Sequence, residues 1–190
     1  MGLVSGALLS FFQRNIADHD DKRSLYIFYK IVNSYVNEHD ETYYQLHCIN
    51  TKAVFDVSIK DMIFDSSILC GLHPIQACYI GIEYAKELKK NIHTETPDDR
   101  KPSLKQTATC RYGKYNLLFQ DRKGNLGFIE RNTSKAYVMD PRDVALSKEL
   151  IEEFDSAQAF YIGLTSGLKL SAPMVKQRNP IKIRHLQLVQ

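Results

Sequence analysis

The stretch NTKAVFDVSIKDMIFDSSILCGLHPIQACYIGIEYAKEL, Asn50–Leu88, has a counterpart 82 positions further on: NTSKAYVMDPRDVALSKELIEEFDSAQAFYIGLTSGLKL, Asn132–Leu170. Aligned without gaps, these 39-residue segments share nine identities: Asn, Thr, one Asp, Gln, Ala, Tyr, Ile, Gly and the final Leu. Chance supplies roughly two or three over such a length, so the pattern reads as an internal duplication. The reading decides the architecture, because whatever unit one copy forms the other must form too.

Both copies carry the same helix-start chemistry. Ser58-Ile59-Lys60-Asp61 and Asp140-Pro141-Arg142-Asp143 each place a side-chain acceptor at an N-cap and an Asp three residues later, at the positive end of the helix. Pro141 falls at the first helical position, where its missing N–H is harmless. A second helix is expected from His73-Pro74 and from Asp155-Ser156, with Asp155 as a cap. Both second helices contain Gln-Ala-x-Tyr-Ile-Gly, at Gln76–Gly81 and Gln158–Gly163. Ala and Gly four residues apart share one face and leave a shallow groove, whose natural occupant is the equivalent helix of the other copy. Gln76, Tyr79, Gln158 and Tyr161 admit two readings. Stripes at helical spacing usually fill a core, which is the preferred reading; the alternative is a ligand pocket between the copies.

Working outward, residues 43–49 and 53–57 read as strands around an Asn50-Thr-Lys turn. Ser24–Val36, SLYIFYKIVNSYV, suits either strand or helix, with Tyr, Ile and Val favouring a strand. In the second copy, residues 115–120 and 126–131 flank Asp121-Arg-Lys-Gly-Asn125, a hairpin in which Gly124 supplies the turn. Residues 89–109, KKNIHTETPDDRKPSLKQTAT, lack periodicity and hold two prolines, the mark of a linker. The organisation expected is an N-terminal amphipathic helix (1–22), copy one (23–90), linker (91–109), copy two (110–170) and a basic tail (171–190). The fold class is α+β: two strand–strand–helix–helix units forming a pseudo-two-fold pair, with mostly antiparallel sheet.

Both ends lie outside the repeat. Val4, Leu8, Phe11, Phe12 and Ile16 share one helical face, suited to the protein's own core or to a partner. The opening segment is too short to span a bilayer and lacks a signal-peptide pattern. Asp155 is the last acidic residue, after which Lys169, Lys176, Arg178, Lys182 and Arg184 put a surplus of cations at the C-terminus. Ile181, Ile183, Leu186 and Leu188 alternate with polar residues there, as in a strand. That tail suits an edge of its own sheet, another protein chain, or nucleic acid.

The chemistry-bearing patterns are missing. There is no GxGxxG, phosphate-binding loop, HExxH, GxSxG or zinc-finger spacing, and the six histidines are scattered. Cys70-Gly-Leu-His73 is half of a zinc-site spacing without its other half. Cys48, Cys70, Cys78 and Cys110 are too sparse for a disulfide scaffold and read as reduced thiols, with Cys78 in the core. The expectation is a cytoplasmic, non-catalytic interaction module, an adaptor or accessory subunit, with no cofactor and no metal. Its partner is expected to be another protein or a second copy. The contacts expected are Val4, Leu8, Phe11 and Phe12 at one end, and Ile181, Lys182, Ile183, Arg184 and Leu186 at the other. Two further classes stay open: a nucleic-acid-binding regulator using the tail, and a ligand-binding or enzymatic protein with a site between the copies.

Overall fold

The computed structural model describes residues 27–91 and 113–169. The N-terminal helix, the linker from 92 onward and the basic tail lie outside the described residues, and with them every terminal contact residue anticipated above.

The order of elements is the same in each half. The first has strands β1 (Tyr29–Val36), β2 (Thr42–Cys48) and β3 (Val54–Ser58), then helices α1 (Ile59–Phe64), α2 (Ser66–Cys70) and α3 (Pro74–Asn91). The second has β4 (Tyr115–Gln120), β5 (Leu126–Glu130) and β6 (Ala136–Met139), then α4 (Pro141–Leu146), α5 (Lys148–Ile151) and α6 (Ser156–Lys169). Each half forms a three-stranded antiparallel sheet in sequence order, β1-β2-β3 and β4-β5-β6. The class is α+β. The ambiguous segment is a strand from Tyr29 onward.

The unit is larger than two strands and two helices. Each half has a third strand, the ambiguous segment β1 in the first and the unread β6 in the second, and a short helix, α2 or α5, intervenes before the long one. Five- and four-residue helices carry too little periodicity to be read from a pattern and are held by caps rather than propensity. Asp65 accepts from the Ser67 amide and Ser147 from the Leu150 amide.

Turn chemistry recurs in detail. Asn37 Oδ1 accepts from the amides of His39 and Glu41 at 2.9 Å, and Asp121 Oδ1 from those of Lys123 and Asn125 at 2.8 Å. The fourth residue of each five-residue loop is left-handed, Asp40 at φ 61° and Gly124 at φ 77°. Asp tolerates that region through local hydrogen bonding, and Gly adopts it freely. The next turn places Lys52 and Ser134 at φ 61° and 54°, with their amides bonded to the carbonyls of Cys48 and Glu130.

One core serves both halves. It runs from Ile31, Tyr44, Leu46 and Met62 through Ile75 and Ile80 to Leu126, Phe128, Phe154, Phe160 and Ile162. Its axis is the contact between α3 and α6. A Cβ on Gly81 would overlap the carbonyl oxygen of Phe160, and one on Gly163 would overlap that of Cys78. Gly167 meets Ala85 one turn further along, and at the start Ser156 Oγ donates to the Leu72 carbonyl at 2.5 Å. The contacts climb both helices in step, so α3 and α6 run parallel with their N-termini side by side. The small residues read from the sequence are what allow this backbone-to-backbone approach.

Candidate functional site

The caps show how each half positions its polar groups. Ser58 Oγ accepts from the Asp61 amide at 3.0 Å and donates to the Asp61 carboxylate at 2.8 Å, the reciprocal arrangement expected. The matching Asp140–Asp143 pair cannot do this, because an ionised cap has no proton to give. Asp140 instead accepts from the Arg142 amide at 2.9 Å, from the Arg142 guanidinium at 3.1 and 3.2 Å, and from Lys169 Nζ at 3.2 Å. Burial pushes the Asp140 carboxyl up, but the bonds from Arg142 and Lys169 outweigh it and hold the group below its usual range.

The long helices start differently. His73 Nδ1 accepts from the Ile75 amide at 3.3 Å, capping α3. Asp155 Oδ1 accepts from the Gln158 amide at 2.8 Å, capping α6 as expected. Asp155 is buried, and its Oδ2 has no hydrogen-bond partner among the described residues. That burial pushes its pKa up to about 7, opposed by the Gln158 and Ala157 amides and by Arg131.

Of the four residues considered for a pocket between the copies, Gln158 and Tyr161 are turned to their own sheet. Gln158 Oε1 accepts from the Leu117 amide at 3.3 Å and its Nε2 donates to Asn116 Oδ1 at 2.9 Å, both on β4. Tyr161 donates to Gln120 Oε1 at 3.3 Å, also on β4. Tyr79 is half-buried, and its hydroxyl is pushed up to about 12, first by burial and then by Glu83 on its own helix. Gln76 is buried, with its Oε1 unpartnered among the described residues. The β1 residue matching Asn116 is Lys30, which offers no acceptor to the Gln76 amide. The α3–α6 seam is filled by Gly81, Gly163, Ala85 and Gly167.

The cysteines divide. Cys78 is fully buried, and burial pushes its thiol up to about 12, as befits an inert core residue. Cys48 is free and half-buried. Cys70 is disulfide-bonded, which corrects the reading of all four as reduced thiols. With Cys70 so occupied and His73 capping α3, these two are not a ligand pair. Among the described residues, no group of three or more His, Cys, Asp or Glu is placed to hold a metal ion.

One cluster was not anticipated. Tyr44, in the middle of β2, is completely buried, and its hydroxyl has no partner among the described residues. Burial raises its pKa well above the ordinary tyrosine value, and Tyr79, Glu83 and Glu87 raise it further, so all three lie within electrostatic reach of that oxygen. Tyr79, Glu83 and Glu87 follow one another at four-residue spacing along one face of α3. Glu83 is paired with Lys86 at 2.6 Å, whereas Glu87 Oε1 is buried and unpartnered among the described residues. The spacing was legible in the sequence as a charged helix face; the tyrosine beneath it was not.

Two apolar side chains stand out at the surface. Phe64 and Leu146, the last residues of α1 and α4, are 74% and 85% exposed. Among the described residues no helix is long and apolar enough to cross a membrane. No protein-family model, no curated protein and no solved structure matches the chain.

Proposed function

We propose that the chain is a tandem duplication whose halves pair about a pseudo-two-fold axis, and that it is a non-catalytic interaction module, an adaptor or accessory subunit. The symmetry is supported by reciprocal contacts. Gly81 meets Phe160 while Gly163 meets Cys78, and each of these four residues has its counterpart 82 positions away. Contacts of i with j and of j with i are what a two-fold axis produces. Tyr29 with Phe55 and Tyr115 with Tyr137 add a second pair of matched geometries, each edge-to-face at 5.8 Å.

The interaction reading is carried by the paired apolar tips. Phe64 and Leu146 occupy equivalent positions and are almost wholly exposed. Exposing large apolar groups to water forgoes about 1.5–3 kcal/mol apiece, a cost relieved when a partner covers them. A pseudo-symmetric pair of such tips suits an isologous contact with a second copy, or a protein surface with two matching pockets. The test compares full-length protein with a Phe64→Ser, Leu146→Ser double variant, by sedimentation across a concentration series and by affinity capture. Self-association or capture weakened at least about ten-fold in the variant supports the module. A protein that stays monomeric, with captured partners indifferent to both substitutions, refutes it.

A further inference from the structure

The halves match closely enough that a place where they differ in charge calls for its own explanation. In the second half, the residues matching Tyr44, Glu83 and Glu87 are Leu126, Thr165 and Lys169. There Leu126 is buried without a polar atom to satisfy, Thr165 Oγ1 donates back to its own helix at 3.0 Å, and Lys169 pairs with Asp140 at 3.2 Å. Every polar group at these positions is answered within the half. In the first half the same three positions hold a buried phenol and two carboxylates one helical turn apart.

That arrangement is unfavourable as it stands. A buried hydroxyl or carboxylate oxygen without a hydrogen bond bears the full cost of its desolvation. Carboxylates at i and i+4 repel, and Lys86 answers only Glu83. Among the described residues Glu87 Oε1 finds no partner, and the nearby Lys89, on the same helix, donates across the seam to the Gly167 carbonyl. Two acceptor carboxylates, with Tyr44 and Tyr79 beside them, form a receptor for a group rich in donors and positively charged. With only two carboxylates the set falls short of a metal site but matches an ammonium or guanidinium, whose several N–H groups reach more than one acceptor. Aromatic faces next to carboxylates add further attraction for such a cation.

We propose that Tyr44, Tyr79, Glu83 and Glu87 form a binding site for an organic cation, a primary ammonium or a guanidinium, seated against the sheet-facing side of α3. Two sources share that chemistry: a free amine or guanidine, and a lysine or arginine of this chain's own basic tail, residues 171–190. The site is independent of the apolar tips at Phe64 and Leu146.

The test titrates the full-length protein with n-butylammonium chloride and with N-ethylguanidinium chloride, against sodium chloride at equal ionic strength. Thermal unfolding and calorimetry are the readouts. A saturable rise in Tm of about 3 °C above the salt reference is expected near ten times Kd. Glu87→Gln and Tyr44→Phe, each nearly isosteric, are expected to weaken binding at least about ten-fold while unfolding stays cooperative. A variant with Lys176, Arg178, Lys182 and Arg184 all changed to Ala separates the sources. Equal binding in wild type and this variant assigns the site to a free cation. Binding at least about ten-fold tighter in the variant assigns it to the tail, since removing the internal competitor unmasks the probe. Absence of a saturable response in both proteins overturns the site, leaving solvent to satisfy the hydroxyl and carboxylate. A response that survives both Glu87→Gln and Tyr44→Phe overturns it equally.

Discussion

The two halves share turns, caps and a helix seam, yet they treat matched polar positions on their long helices in opposite ways. On α6 the polar side chains at three of these positions find partners: Gln158 braces β4, Thr165 returns to its own helix, and Lys169 reaches Asp140. On α3 the matching Gln76 and Glu87 each leave a buried oxygen unpartnered among the described residues, and Tyr44 beneath them leaves a third. The difference teaches that matched positions on one scaffold can carry opposite polar balance, answered along α6 and left open along α3. The cation site depends on that asymmetry, whereas the interaction module rests on the matched tips Phe64 and Leu146.

The frame is tested hardest at the seam. Gly163→Ala and Gly81→Ala each force a methyl onto a backbone carbonyl of the facing helix, which cannot retreat without separating α3 from α6. Each is expected to destabilise by about 3 kcal/mol, the upper range for overpacking, as read by urea unfolding. Because the contacts are reciprocal, the two losses are expected to agree closely. A large loss in one and a small loss in the other breaks the pseudo-symmetry.

A pH-dependent effect distinguishes the helix caps. Asp155, with its pKa pushed up to about 7 by burial, binds its proton more tightly folded than unfolded. Its contribution to stability is therefore fully present below the unfolded pKa, about 4, and is lost as pH rises through about 7. Across that window the slope approaches about 1.4 kcal/mol per pH unit, and Asp155→Asn is expected to flatten it while keeping the cap. Chemical denaturation of both proteins at several pH values between these limits checks it. An unchanged slope in the variant would remove Asp155 as the source.

The smallest effect sharpens the comparison of α1 with α4. Ser58→Ala removes a neutral cap and is expected to cost about 1 kcal/mol. Asp140→Ala removes the cap and also strands Lys169 and Arg142, so its loss is expected to exceed that of Ser58→Ala. The Asp140 carboxyl is held below its usual range despite burial, so its contribution is present above the unfolded pKa and lost as pH falls through the lowered one. Equal losses for the two cap variants, or no acid dependence of the difference between them, would show that Lys169 contributes nothing through Asp140.

Much of the frame was legible in the chain. The capped helices, their start points at Pro74 and Ser156, the Gly124 hairpin and the Ala–Gly groove all follow from chemistry acting over a few residues. The match between β1 and β4 was hidden for a definite reason. Tyr29 corresponds to Tyr115, an offset of 86, whereas the helices stand 82 apart, because the first hairpin is four residues longer. An ungapped comparison therefore fails beyond β2, at the hairpin that joins it to β1. The loops Asn37–Glu41 and Asp121–Asn125, each opening on an Asx residue with a left-handed fourth position, were the signal that a gapped comparison would have used.

By itself the sequence determined the capped helices and most strands, where the long helices begin, and that α3 and α6 pack through small residues. Capping, turn conformation and side-chain bulk act locally, so the residues carry them wherever the chain goes. Only the tertiary structure decided that Tyr161 turns to its own sheet, that Asp155 is buried enough to hold a proton near neutrality, and that the Tyr44 hydroxyl and Glu87 Oε1 are buried without partners among the described residues. Desolvation and pairing depend on which distant side chain is brought opposite, and no local pattern encodes that.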